Sequence, residues 1–234
     1  MRRSLVVSFA VLAIVRAPAM AQTCEGLASF SAGQMQVAGN AQFPDGRNIW
    51  GGSFTYGIPS GIYAGADLST TSFDVPAGVE SQSSLGIGAH AGYQMTVGQA
   101  KQFALCPVAR LSLGMGPDDD AANINSSTTD AHLGLAVGTS VGTNPRLRIL
   151  PTAGLGLQYS KLKVEDTSPG GNTVEGSDTY GMARLGVGFV FNQQIAVRPS
   201  VDIPLGLDNG DASFGITVAY NFGSKSMGSR SRRH

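Results

Sequence analysis

Charge is scarce in this chain: Asp, Glu, Lys and Arg make up 14% of its residues, against ~25% in soluble domains. Cysteine is limited to Cys24 and Cys106, with no C-x-x-C pair and no nearby histidine, so a metal or redox motif is not expected. Long apolar runs are missing except at the very start, where Arg2 and Arg3 precede LVVSFAVLAIV and the small-residue site Ala19, Met20, Ala21. That run is shorter than the ~20 residues needed to span a bilayer as a helix. It reads as a signal peptide over residues 1–21, cut after Ala21. The exported chain then meets an oxidising compartment, which makes Cys24 and Cys106 candidates for one disulfide. Lipid attachment at Cys24 is not expected, because Thr23 and Ala21 stand where that processing needs a small and an aliphatic residue.

What the chain has instead is alternation. SLGIGAHAGYQM puts Leu85, Ile87, Ala89, Ala91, Tyr93 and Met95 on one face and Gly86, Gly88, His90, Gly92 and Gln94 on the other. Period two means strand. AHLGLAVGTSV repeats it through Leu133, Leu135, Val137 and Val141, and FGITVAYNF through Phe214, Ile216, Val218, Tyr220 and Phe222. In a soluble sandwich the second face would be charged, but here it is mostly Gly, Ala, Ser and Thr. Apolar side chains outward to lipid, with small and polar ones inward, is the layout of a transmembrane β-barrel.

The expected architecture is all-β: one antiparallel up-and-down barrel over residues 22–222, of about ten strands with eight as the alternative, then a basic tail over 223–234. Strand starts are expected near Ser29, Asn48, Ile62, Ser83, Phe103, Asp130, Arg148, Asp178, Ile195 and Ala212. Connections after odd strands are mostly long and acidic, such as GPDDDAANINSSTT and DTSPGGNTVEG, whereas IPS, VGQAK, GTNPR and NQQ are short and hold no acid. That asymmetry implies long loops outside the cell and both termini in the periplasm. Aromatics fall at strand ends as interfacial girdles would. Trp50, Tyr159 and Phe214 lie toward the loops; Tyr56, Tyr93, Phe103, Phe189, Phe191, Tyr220 and Phe222 lie toward the turns. Pro107, Pro151 and Pro199 recur in odd strands at similar depth, where bulges or strand starts are expected.

With these features together the mature chain resembles the small outer-membrane β-barrel proteins of Gram-negative-type bacteria. The last strand, SFGITVAYNF, is similar to the terminal signal read by the barrel-assembly machinery: Ser213, Gly215, Val218, Tyr220 and closing Phe222. The resemblance implies that machinery as a partner during insertion, and outer-membrane lipid and lipopolysaccharide as surroundings. This chain departs from the pattern by continuing through GSKSMGSRSRRH. The tail's basic residues have no interleaved aromatics and lie in the wrong compartment for nucleic acid.

Alternation turns Asp67, Arg110, Arg184, Arg198 and Asp202 inward, with His90 and His132. Buried charges are tolerated when paired, so these residues are expected to form a lumen network; a charged constriction in a narrow channel is the alternative. Inward glycines leave space, which favours the channel. Neither histidine has a serine two residues on, no outward catalytic cluster exists, and no cofactor or metal is expected. Asp118, Asp119 and Asp120 lack the ordered spacing of a calcium loop. Lys161 and Lys163 share parity with Tyr159 and are candidates to meet lipopolysaccharide phosphates, while TSPGGN suggests a mobile loop. A third reading, a secreted barrel holding an apolar ligand, requires the apolar parity to face the lumen.

Overall fold

The structure is a computed structural model that describes residues 24–27, 33–58, 61–74, 82–98, 103–117, 123–141, 144, 146–207 and 210–223. The segment expected to be a signal peptide, Asp118 to Asp120 and the tail beyond Gly223 lie outside these residues. The strands are β1 Gln34–Phe43, β2 Arg47–Gly57, β3 Ile62–Phe73, β4 Ser83–Tyr93, β5 Met95–Val97 and β6 Phe103–Met115. They continue with β7 Ile124–Thr139, β8 Leu147–Asp166, β9 Thr173–Phe191, β10 Ile195–Leu205 and β11 Ser213–Gly223. Each strand pairs antiparallel with its chain neighbours except that β4 and β5 do not pair with each other but both pair with β6, and β1 pairs with β11 to close the ring. The closed barrel therefore has ten staves, and β5 is a short extra piece continuing β4 along β6.

The alternation becomes two faces. Leu133, Leu155 and Leu157 are 60–66% exposed on the outside, whereas Ala104, Ala196 and Ala219 are buried within the ring. The apolar parity thus faces out, opposite to what an apolar-ligand barrel needs. Phe43 and Trp50 meet edge to face at 5.9 Å near the long-loop end, and Tyr220 and Phe222 stack at 6.3 Å near the turn end. Trp50, Tyr56, Tyr93, Phe103, Tyr159, Phe191 and Phe214 are also exposed outward, with Phe189 half-buried.

The three prolines make no bulge. Pro107, Pro151 and Pro199 sit inside β6, β8 and β10, each beside a gap in the ladder to the preceding strand. The β6 pairing passes from Gly92↔Val108 to Met95↔Leu105, the β8 pairing from Gly138↔Thr152 to Val141↔Ile149, and the β10 pairing from Val197↔Phe189 to Ser200↔Gly186. Register is the same on both sides of each gap. The missing proline N–H removes a ladder bond without inserting a residue, and at Pro107 that break separates β5 from β4.

Three strands run longer than expected. β7, β8 and β9 have 16, 20 and 19 residues, beyond the ~9–11 that cross a bilayer. Starts placed at Asp130 and Asp178 move back to Ile124 and Thr173, so both ends of the DTSPGGNTVEG loop, Asp166 and Thr173 to Gly176, are strand. TSPGGN itself is a pinned turn: Gly171 N–H donates to Ser168 O, Thr167 N–H to Asn123 O, and Ser168 N–H to the Asp166 carboxylate. The result is a β7–β9 fin standing above the ring at its long-loop end.

Candidate functional site

The lumen carries the inward charges on two facing walls. On β3, β4 and β6 the register sets His90 opposite Gly65 and Arg110. His90 Nδ1 lies 2.8 Å from Asp67 Oδ2 and its Nε2 lies 2.9 Å from Thr55 Oγ1 on β2. Arg110 Nε is 3.8 Å from the same Asp67 oxygen. Across the lumen Arg184 of β9 grips Asp202 of β10 through two bonds of 2.5 and 2.6 Å. These residues form two wall clusters rather than one network, because every pair lies within one or two strands of its partner and none spans the lumen.

Arg198 belongs to neither cluster. Its Nη1 donates to the backbone oxygen of Glu25 at 2.5 Å and its Nη2 to Thr217 Oγ1 at 3.4 Å. Glu25 lies inside the barrel, in the segment Cys24–Leu27 preceding β1. Cys24 is disulfide-bonded to Cys106 on β6, and the Glu25 carboxylate accepts the Tyr63 hydroxyl at 3.1 Å. Leu27 packs against Leu150, Val190, Ala196 and Ala219, with Ala38 beside them. The cysteines were legible as a pair, but Thr55, Tyr63, Glu25 and Leu27 were not. The only available signal was parity for Thr55 and Tyr63, and none pointed the N-terminal segment inward.

Wall glycines explain how rings fit in a ten-stave barrel. A Cβ on Gly92 would overlap the Tyr63 ring, one on Gly65 would come within 2.6 Å of the His90 ring, and one on Gly156 within 2.6 Å of His132. At Gly65, Gly92 and Gly156 the space expected to open a channel is taken by the rings of His90, Tyr63 and His132. What remains is a cavity of about 90 Å³ bordered by Glu25, Tyr63, Arg110, His132, Gln158 and Arg184.

Thr55, His90 and Asp67 line up as hydroxyl, imidazole and carboxylate, the order of a nucleophilic triad. Thr55 is only 4% exposed, so its hydroxyl meets the His90 ring and does not reach the cavity. The arrangement ties β2, β3 and β4 together. Among the described residues no cluster of His, Cys, Asp and Glu has the makings of a metal site.

On the fin, Lys161 Nζ pairs with Glu175 at 2.7 Å and Lys163 Nζ with Glu165 at 2.8 Å. The hydrogen bond and charge of Lys161 hold the Glu175 carboxyl below its ordinary range. Ile124, Leu162 and Val174 share the inner parity of the fin and are exposed above the ring. β9 beyond Gly181 has no partner on its β10 side among the described strands. Asp166 N–H donates to Asn172 O, so the alternation of an antiparallel ladder gives β8 the even-numbered residues of β9. Thr173, Glu175, Ser177 and Thr179 consequently turn their backbone groups to the open edge.

A family model described as the outer membrane protein beta-barrel domain matches residues 7–222. Among solved structures, the chain is similar to the N-terminal beta-barrel domain of Pseudomonas aeruginosa OprF, at 17% identity and TM-score 0.33, over 82% of this chain and 98% of that one. It is similar to Ail, the attachment invasion locus protein of Yersinia pestis, at 11% identity and TM-score 0.40, over 82% and 100%. The beta domain of the Bordetella autotransporter BrkA gives 13% identity and TM-score 0.49, over 82% and 100%. Comparison with curated proteins finds no match.

Proposed function

The chain belongs to the outer membrane protein beta-barrel domain family, and on that premise we propose that it is a non-enzymatic barrel whose task is surface interaction through the β7–β9 fin. The observation that carries this reading is the open β9 edge. Thr173, Glu175, Ser177 and Thr179 present backbone donors and acceptors with no partner strand among the described residues, above an apolar inner face at Leu162 and Val174. An exposed strand edge is a template for pairing with an extended polypeptide. A barrel serving only as scaffold has no use for strands of 19 and 20 residues. In this reading the long-loop end faces out of the cell and both termini lie in the periplasm. Lys161 and Lys163 spend their charge on Glu175 and Glu165, which leaves the backbone edge, rather than lipopolysaccharide phosphate, as the recognition element.

The test is retention of cells displaying the chain on an immobilised layer of extended polypeptide. Ser177→Pro removes an edge donor without touching the β8 ladder, and retention is expected to fall several-fold. Equal retention by both forms defeats the fin reading. The competing function is a narrow channel, which discrete conductance steps from the unmodified protein in a planar bilayer would establish.

A further inference from the structure

The segment Cys24–Leu27 crosses the barrel, and each of its attachments is to a different part of the wall. Cys24 is fixed covalently to β6, with Ala104 packed against the pair and Val108 and Ala136 beside them. Glu25 is tied to β3 through Tyr63 and to β10 through Arg198. Leu27 is seated on the opposite side, in a socket made by β8, β9, β10 and β11. The barrel is shaped for this crossing. Gly26 has φ +70°, a conformation that favours glycine, and a Cβ on Gly188 of β9 would overlap the Gly26 backbone. Both approaching chains therefore lack a side chain at their point of contact.

The charged clusters do not close the lumen themselves. Asp67, His90 and Arg110 hold to one wall and Arg184 with Asp202 to the other, leaving the cavity between them. Glu25, from the crossing segment, sits in that gap and borders the cavity with Arg110 and Arg184. We propose that Cys24–Leu27 is a plug stapled by the Cys24–Cys106 bond, and that it closes a lumen that would otherwise pass small ions. This inference rests on the non-channel part of the function proposed above, and it assigns the cause of closure to the segment rather than to the wall side chains. Without the staple, Cys24–Leu27 keeps two hydrogen bonds, from Tyr63 and Arg198 to Glu25, and the apolar seat of Leu27. Both sulfurs are buried, so the staple is a permanent fastening in an oxidising compartment.

The experiment is single-channel recording in planar bilayers with the mature chain, its folding checked by heat-modifiable gel mobility. The unmodified protein is expected to be silent. The triple variant Cys24→Ser, Cys106→Ser, Leu27→Asp, which removes the staple and puts a charge in the apolar socket, is expected to give discrete steps. If the folded triple variant is silent, the wall closes the lumen and the plug is refuted, while the fin reading stands. Steps from the unmodified protein refute the plug and the non-channel reading together. Should the triple variant not fold, the folded unmodified protein is treated in the bilayer with a water-soluble trialkylphosphine under mild denaturant. The phosphine and one water reduce the disulfide to two thiols and leave the phosphine oxide. Onset of steps supports the plug; silence, with two thiols titrated per chain, overturns it.

Discussion

Arginine in place of Leu135 tests which solvent the outer face meets. Leu135 is 49% exposed and pairs with Leu155 on β8 and Pro107 on β6, so its side chain points away from the lumen in the middle of the apolar band. Arginine at the midplane of a transmembrane barrel costs ~2–4 kcal/mol, falling to ~0–1 kcal/mol near the interfaces. At ~1.4 kcal/mol per tenfold, Leu135→Arg should shift the folding equilibrium by about 30- to 700-fold. Leu162 has a similar exposure, 49%, but lies on the fin, so Leu162→Arg should cost little. The assay is reversible denaturant unfolding in phospholipid vesicles, following tryptophan emission from Trp50, with both variants measured against the unmodified chain. Exposure alone cannot separate the two sites; only immersion of one in hydrocarbon can. Equal, small costs at Leu135 and Leu162 would refute the assignment of the outer face to lipid.

Asp202→Ala leaves Arg184 without its bidentate partner; with one-third of the Arg184 side chain exposed, screening reduces the usual penalty for a broken buried pair to ~2–3 kcal/mol. Replacing both as Arg184→Met with Asp202→Leu should recover most of that loss in the same unfolding assay. Gly156→Ala places a Cβ 2.8 Å from the Leu133 carbonyl and 2.6 Å from the His132 ring and should destabilise by ~1–3 kcal/mol; Gly176→Ala, with nothing within 4 Å, should be neutral or slightly stabilising, and a reversed order would mean the rings do not lie on the wall. Because the folded-state pKa of Glu175 is lowered, its contribution to the fin is complete above the ordinary carboxylate range and lost as pH falls through the depressed value. Amide exchange at Val164 and Val174 should therefore lose protection as the pH falls below the ordinary carboxylate range, and unchanged protection on acidification would show that the Lys161–Glu175 pair does not stabilise the fin.

Much of the barrel was legible because strand periodicity is a local property. Ser83–Tyr93 alternates in the chain as it does between lipid and lumen in the fold, and antiparallel pairing of chain neighbours needs only short connections. The strand ends at Ile124 and Thr173 were less legible, since polar residues such as Ser126, Ser177 and Asp178 serve a loop and a water-exposed fin equally well. Pro107, Pro151 and Pro199 were visible as a repeat, yet whether a proline makes a bulge or a gap depends on the partner strand keeping register, which the proline itself does not encode.

The sequence by itself determined the two-faced strands, the apolar outside, the two cysteines as candidates for a bond and the inward direction of Asp67, Arg110, Arg184, Arg198 and Asp202, because each follows from parity or from residue type along one strand. Tertiary structure decided which inward groups meet. Asp67 turns to His90, Arg184 to Asp202 and Arg198 to the backbone of Glu25, since pairing across a barrel depends on inter-strand register and on what occupies the lumen. It also decided that Cys24–Leu27 lies within that lumen, because its seat is assembled from β3, β6 and β8–β11, and no stretch of sequence contains that seat before the ring closes.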